Sequence, residues 1–136
     1  MKVLVDTSVW SLVLRRQAGE PGPWATELRH LIEEMRVQII GPIRQEILSG
    51  IRIAAQFEIL KTRLRGFPDL PLQREDYERG AFFYNLCRAR GIQGSNTDFL
   101  ICAAAERNHL PIFTTDEDFR LFARHLPVKI HKIRHP

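Results

Sequence analysis

Val3-Leu4-Val5 opens the chain as an unbroken apolar run, and Asp6-Thr7-Ser8 closes it at once. Apolar residues without alternation suit a strand covered on both faces, and Thr7 and Ser8 offer caps to a helix over about residues 8–17. Gly19-Glu20-Pro21-Gly22-Pro23 is a strong turn signal. Beyond it Trp24, Leu28, Leu31, Ile32 and Met35 recur at helical spacing and predict a second helix over 24–35. Val37 to Ile40 reads as a short second strand. Gly41-Pro42 then turns the chain into a helix that carries Glu46 and that Gly50 can close as the residue past its end. Ile53, Phe57, Leu60 and Leu64 share one face of a helix over 52–65, which the prolines of Gly66-Phe67-Pro68-Asp69-Leu70-Pro71 stop.

The second half is more strongly patterned. Residues 74–90 read as a long helix with acids near its start, Arg88 and Arg90 near its end and Gly91 as its stop, a polarity that agrees with the helix dipole. Asn96-Thr97-Asp98-Phe99-Leu100-Ile101-Cys102-Ala103-Ala104-Ala105 is apolar on nearly every side after Asp98. Such a helix has to be buried, so Asp98 is fixed where the helix leaves the core. A strand over 112–114, a helix over about 116–125 and a last strand around Val128-Lys129-Ile130 complete the pattern. Short strands alternating with helices predict a parallel sheet with helices on both faces. At 136 residues the length is that of one domain.

Composition adds a partner class. With 44% hydrophobic and 26% charged residues the chain is that of a folded protein, neither disordered nor fibrous. No apolar run approaches the roughly 18 residues of a membrane span, and Asp6 interrupts the apolar start too early for a secretory signal, so the expected compartment is the cytoplasm. The net charge of +4 and a pI near 9.5, carried mainly by arginine, fit a polyanionic partner. Arg15 and Arg16 end the first predicted helix, where cations suit the dipole with or without a phosphate contact. Cys87 and Cys102 lack ligand spacing and read as buried thiols. His30, His109, His125, His131 and His135 are scattered and read as surface or packing residues, and Trp10 and Trp24, at helical spacing with leucines, read as core.

The candidate chemistry lies in the carboxylates, each of which also has a plain structural explanation. Asp6 can act as a helix N-cap. Ser95-Asn96-Thr97-Asp98 and Thr115-Asp116-Glu117-Asp118 both have the form of a capping box, and Glu46 can be a solvated helix residue near Arg44. Placement argues for more. Asp6 and Asp116 follow apolar strands, at the sheet end where open α/β folds bind ligands, and Asp98 opens the buried helix. Two carboxylates about 4 Å apart repel by about 4 kcal/mol at an effective dielectric near 20, so a cluster of them calls for a divalent cation. Oxygen donors favour Mg²⁺ or Mn²⁺, and such an ion can lower the pKa of a bound water and clamp the oxygens of a phosphoryl displacement.

Asp6-Thr7-Ser8 after the first strand, Glu46 with Gly50 four residues on, Asp98 with Ile101 and the following alanines, and Thr114-Thr115-Asp116-Glu117-Asp118-Phe119 resemble the PIN-domain family, and within it the VapC-type ribonuclease toxins. The likeness runs over nearly the whole length. It implies a Rossmann-like three-layer α/β/α sandwich with a short, mainly parallel sheet, and cleavage of single-stranded RNA dependent on Mg²⁺ or Mn²⁺. It also implies metal-site roles for Asp6, Glu46, Asp98 and Asp116, an antitoxin partner whose tail blocks the site, and a homodimer. Asp118 falls where many relatives carry an acid and is a further candidate ligand. Residues 52–75 match no motif and leave the choice of RNA unread. A haloacid dehalogenase-like phosphatase would need a second Asp two residues after the first, where Ser8 stands, and a dinucleotide-binding enzyme would need glycines after the first strand. A catalytically silent RNA-binding domain or a housekeeping RNA-processing nuclease are the alternative functions, though the silent domain would not need all four acids.

Overall fold

The computed structural model describes residues 1–14 and 22–134. Its centre is a parallel sheet of β1 (Val3–Val5), β2 (Val37–Gln38) and β3 (Ile112–Phe113) in the order β2-β1-β3. Val3 is level with Val37, and Leu4 with both Gln38 and Ile112. All three residues of β1 have no exposed surface, as their unbroken apolar run predicts.

Single parallel bridges widen the sheet on both sides, Ile39 to Asp69 beyond β2 and Ile130 to Ile112 beyond β3. The predicted last strand over 128–130 is reduced to that one bridge, held by Ile112 N–H to the Lys129 carbonyl at 2.8 Å and His131 N–H to the Ile112 carbonyl at 2.8 Å. The chain leaves the ladder there because His131 and Arg134 are drawn aside to Glu27. The bridge at Asp69 was not expected, since Pro68 and Pro71 made the segment read as a pure break. Leu70 N–H nevertheless reaches the Ile39 carbonyl at 2.8 Å, an edge position that proline neighbours tolerate.

The helices are α1 (Thr7–Leu14), α2 (Pro23–Glu33), α3 (Gly41–Leu48), α4 (Ala54–Leu64), α5 (Arg74–Ala89), α6 (Asn96–Asn108) and α7 (Asp118–Ala123). They pack as two groups, α1 with α2 and α3 and α3 with α4 in one, α5 against α6 in the other, which gives the three-layer α/β/α sandwich. The remainder of the first predicted helix, with Arg15 and Arg16, and most of the turn after it lie outside the described residues, as does His135. Pro23 and Pro42 stand in the first turns of α2 and α3, and Gly50 (φ 89°) and Gly91 (φ 76°) follow α3 and α5 in the left-handed conformation. On α4 the expected apolar face is only partly used: Leu64 is buried while Ile53 is 58% exposed. Helix α6 is buried from Phe99 to Ala105. Trp10 is buried edge-on to Phe67, Trp24 stacks on Phe113, and both cysteines are buried.

Candidate active site

The carboxyl end of β1 is tied to the turn after β3 by side chains as well as backbone. Asp6 N–H donates to the Phe113 carbonyl at 2.9 Å. The Asp6 carboxylate, 6% exposed, accepts at Oδ2 from the Ser8 hydroxyl at 2.7 Å and the Thr114 hydroxyl at 2.9 Å. The backbone N–H of Ser8, as a helix-capping contact, is farther off at 3.4 Å. Ser8 Oγ in turn accepts from Thr115 N–H at 3.0 Å, and Thr114 Oγ1 from Asp116 N–H at 3.0 Å. A hydroxyl pair thus joins Asp6 to the backbone that carries Asp116.

At Asp98 the structural explanation is realised and one carboxylate oxygen is left over. The capping box is formed, with Ser95 N–H to Asp98 Oδ2 at 2.9 Å and Asp98 N–H to Ser95 Oγ at 3.1 Å. Only Oδ2 is used, and among the described residues no donor reaches Oδ1. Burial pushes the Asp98 carboxyl above the usual aspartate range, against the pull of the Ser95 bonds, and the nearby negative charges of Asp6 and Asp116 push it the same way. The capping box expected at Asp116 does not form, because α7 begins later, at Asp118. Asp116 Oδ1 instead accepts the Asp118 N–H at 2.9 Å, a tight local turn, and Asp118 itself points into solvent at the surface. Glu46 is exposed on α3, yet it does not meet Arg44, which pairs with Asp69. It accepts the Thr7 hydroxyl at 2.6 Å, across 39 residues, and so comes to the same end of β1.

Among the described residues, no lysine, arginine or histidine pairs with Asp6, Glu46, Asp98 or Asp116. Nor do three His, Cys, Asp or Glu side chains among them converge tightly enough to hold an ion as they stand. The donor set is nonetheless all oxygen, the kind hard divalent cations take, and Asp98 senses the charge of two other acids with no cation to offset them. Chemistry and charge fit a divalent cation.

Sequence reasoning missed the role of Thr7, read only as a cap, and the bridge made by Ser8 and Thr114. The pattern of a hydroxyl residue two positions from an acid at both strand ends was the available signal.

Fold and centre together define a class, and the model of the PIN domain matches residues 3–125. The chain belongs to the PIN-domain family. It is 32% identical over 126 residues to Ribonuclease VapC11 of Mycobacterium tuberculosis, covering 90% of this chain and 92% of that one. Its fold is similar to that in the crystal structure of FitAcB from Neisseria gonorrhoeae, with a TM-score of 0.76 and 23% identity over 98% of this chain and 99% of that one. It is also similar to that of VapBC-5 from Mycobacterium tuberculosis, a member of the VapBC family of toxin-antitoxin systems. There the TM-score is 0.69 and the identity 19% over 97% of this chain and 98% of that one. No helix among the described residues is long and apolar enough to cross a membrane.

Proposed function

We propose that the protein is a Mg²⁺- or Mn²⁺-dependent endoribonuclease acting on single-stranded RNA, the toxin of a toxin–antitoxin pair. The observation that carries this is the group of carboxylates at the end of β1 and β3, left without a cation of the protein's own while Asp98 is pushed toward its neutral form. The 32% identity to a ribonuclease supports it.

Asp6, Glu46, Asp98 and Asp116 are the residues that would hold the ion, with Asp118 at the margin. A bound divalent ion supplies a water of lowered pKa and positive charge at the phosphate oxygens. The chain's own part is orientation. Ser8 and Thr114 donate to one oxygen of Asp6 and fix its rotamer, the capping box fixes Asp98 through Oδ2 and leaves Oδ1 unused, and Thr7 holds Glu46. The basic surface holds the RNA backbone. An antitoxin that covers the centre, a homodimer and a cytoplasmic setting go with this reading, as does one PIN unit over the whole chain.

The test is cleavage of a labelled single-stranded RNA pool with Mg²⁺, with Mn²⁺ and with EDTA. Cleavage with either ion that EDTA abolishes is expected. RNA that binds but stays intact in every arm would assign the silent RNA-binding function instead.

A further inference from the structure

Among the described residues, some arginines are ordered by carboxylates and two by uncharged groups. Arg36, Arg44, Arg79, Arg107, Arg120 and Arg134 each meet a carboxylate, so their charge is largely cancelled where they stand. Arg88 and Arg90, at the end of α5, are ordered by uncharged groups instead. Arg88 Nη1 donates to the Tyr84 hydroxyl at 3.1 Å, and its guanidinium lies 5.8 Å from that ring's centre. Arg90 Nη1 lies 2.9 Å from His125 Nδ1. An arginine can only donate, so in this contact Nδ1 is the acceptor. No carboxylate among the described residues pairs with Arg88, Arg90 or His125.

The mount of this pair leads to the acidic centre. The Tyr84 ring meets Phe99, the residue after Asp98, edge-on at 5.7 Å. Phe99 meets Phe122 of α7 at 4.8 Å. Gly94 is wedged on both rings, so tightly that a Cβ there would stand 2.7 Å from Phe122 and 2.9 Å from Phe99. The α5–α6 turn that delivers Asp98 and the helix that follows Asp116 are therefore locked together, and the Arg90–His125 contact closes the lock on the outside. Two exposed guanidinium groups, each ordered by an uncharged partner, stand at the end of α5, where the turn into α6 leads to Asp98.

We propose that Arg88 and Arg90, with His125 positioning Arg90, form a phosphate-binding subsite that holds the RNA backbone beside the cleavage centre. This rests on the nuclease reading given above. Guanidinium forks match phosphate oxygens in pairs, and arginines already ordered by neutral partners lose little freedom on binding and surrender no ion pair. Arg88 and Arg90 are specificity-determining in position, since they fix how far from Asp98 a neighbouring phosphate lies.

The test uses the whole protein with Arg88→Gln and Arg90→Gln combined. A control, Arg29→Gln with Lys129→Gln, removes the same charge from α2 and from the amino end of β3. Binding of a short fluorescein-labelled single-stranded RNA is followed by anisotropy in EDTA over a salt series, and cleavage with Mn²⁺ is run in parallel. All four residues are exposed, and melting temperatures confirm folding. The subsite predicts a Kd raised at least about tenfold in the double variant, as for loss of charge-assisted hydrogen bonds. The log–log salt slope should fall by about 0.7 per lost contact, KM should rise and kcat hold. Affinity and slope equal to wild type, or a control that loses as much, would overturn the subsite while wild-type cleavage keeps the nuclease reading. Wild-type protein that neither binds nor cuts the RNA would overturn both.

Discussion

Buried acids are treated in opposite ways at two places in this molecule. Glu27 on α2 and Asp76 on α5 are each 1% exposed and each fully answered by cations. Glu27 meets His131 Nε2 at 2.6 Å and Arg134 Nε at 3.0 Å, and Asp76 meets Arg107 at 2.6 and 2.8 Å. Burial alone would raise both, but the bonds and charges of these partners, with the Gln73 N–H at Asp76, together hold both below the usual carboxylate range. Asp6 and Asp98, at the end of the sheet, have hydroxyls and backbone N–H groups but no cation, and Asp98 goes the other way. Glu27 and Asp76 each have a cation of the protein's own, whereas among the described residues Asp6 and Asp98 have none and are open to one from outside.

Separating the two kinds of acid by mutation gives the largest expected effect. Asp98→Asn or Asp6→Asn should lower RNA cleavage on the order of a thousandfold, the scale of losing one catalytic group. Asn is as good an N-cap as Asp at position 6, and at position 98 its side-chain oxygen can still accept the Ser95 N–H, so the melting temperature without metal should stay or rise, as when a strained functional site is neutralised. An apo variant that melts earlier and still cuts would dissolve the contrast. At the other pole, Asp76→Ala should cost about 3 kcal/mol in urea denaturation, the scale of breaking a buried pair, and leave cleavage by the folded fraction intact.

Charge is not what holds the acidic end in place, and packing can be tested there separately. Gly94→Ala should cost about 1–3 kcal/mol, because the added methyl runs into the Phe99 and Phe122 rings. It should also lower cleavage, since those rings mount Asp98. Full activity at wild-type stability would mean that the turn adjusts freely.

The smallest effect is in pH. Glu27 and Asp76 are depressed in the folded state, so their stabilisation is complete above their ordinary values of 4.5 and 3.8 and is lost as pH falls through the lower folded-state values. The acid limb of the stability curve, followed by urea titration, should be shallower in Asp76→Ala than in wild type. Parallel curves would show that Arg107 does not hold Asp76 ionised.

The contrast between the two kinds of acid also marks what could be read from sequence. Strand and helix nuclei were visible because Val3-Leu4-Val5 and Phe99 to Ala105 are apolar on every side, and so were the positions of the four candidate acids. Asp98 could be read both as a cap and as a site residue; the cap is formed, and it uses one carboxylate oxygen and leaves the second. Glu27 was invisible. Its local pattern is that of a solvated helix face, and what buries it arrives 104 and 107 residues later as His131 and Arg134. Asp69 was hidden by its flanking prolines, and the contact of Glu46 with Thr7 was unread because Thr7 lies on another element. Local pattern reports periodicity and caps, whereas long-range polar pairing is decided by tertiary geometry.

The hydroxyl of Thr114 reaches Asp6 across 108 residues, so the centre draws on segments far apart in the chain. Synthesis runs from one end to the other, and domains form only as their last contributing segments appear. Asp6 is thus made long before Thr114 and Asp116 and waits for them before its surroundings exist. A chain interrupted anywhere before that point carries the acid without its setting. If the finished molecule cuts RNA, this order of assembly keeps every unfinished copy harmless to the message from which it is being made.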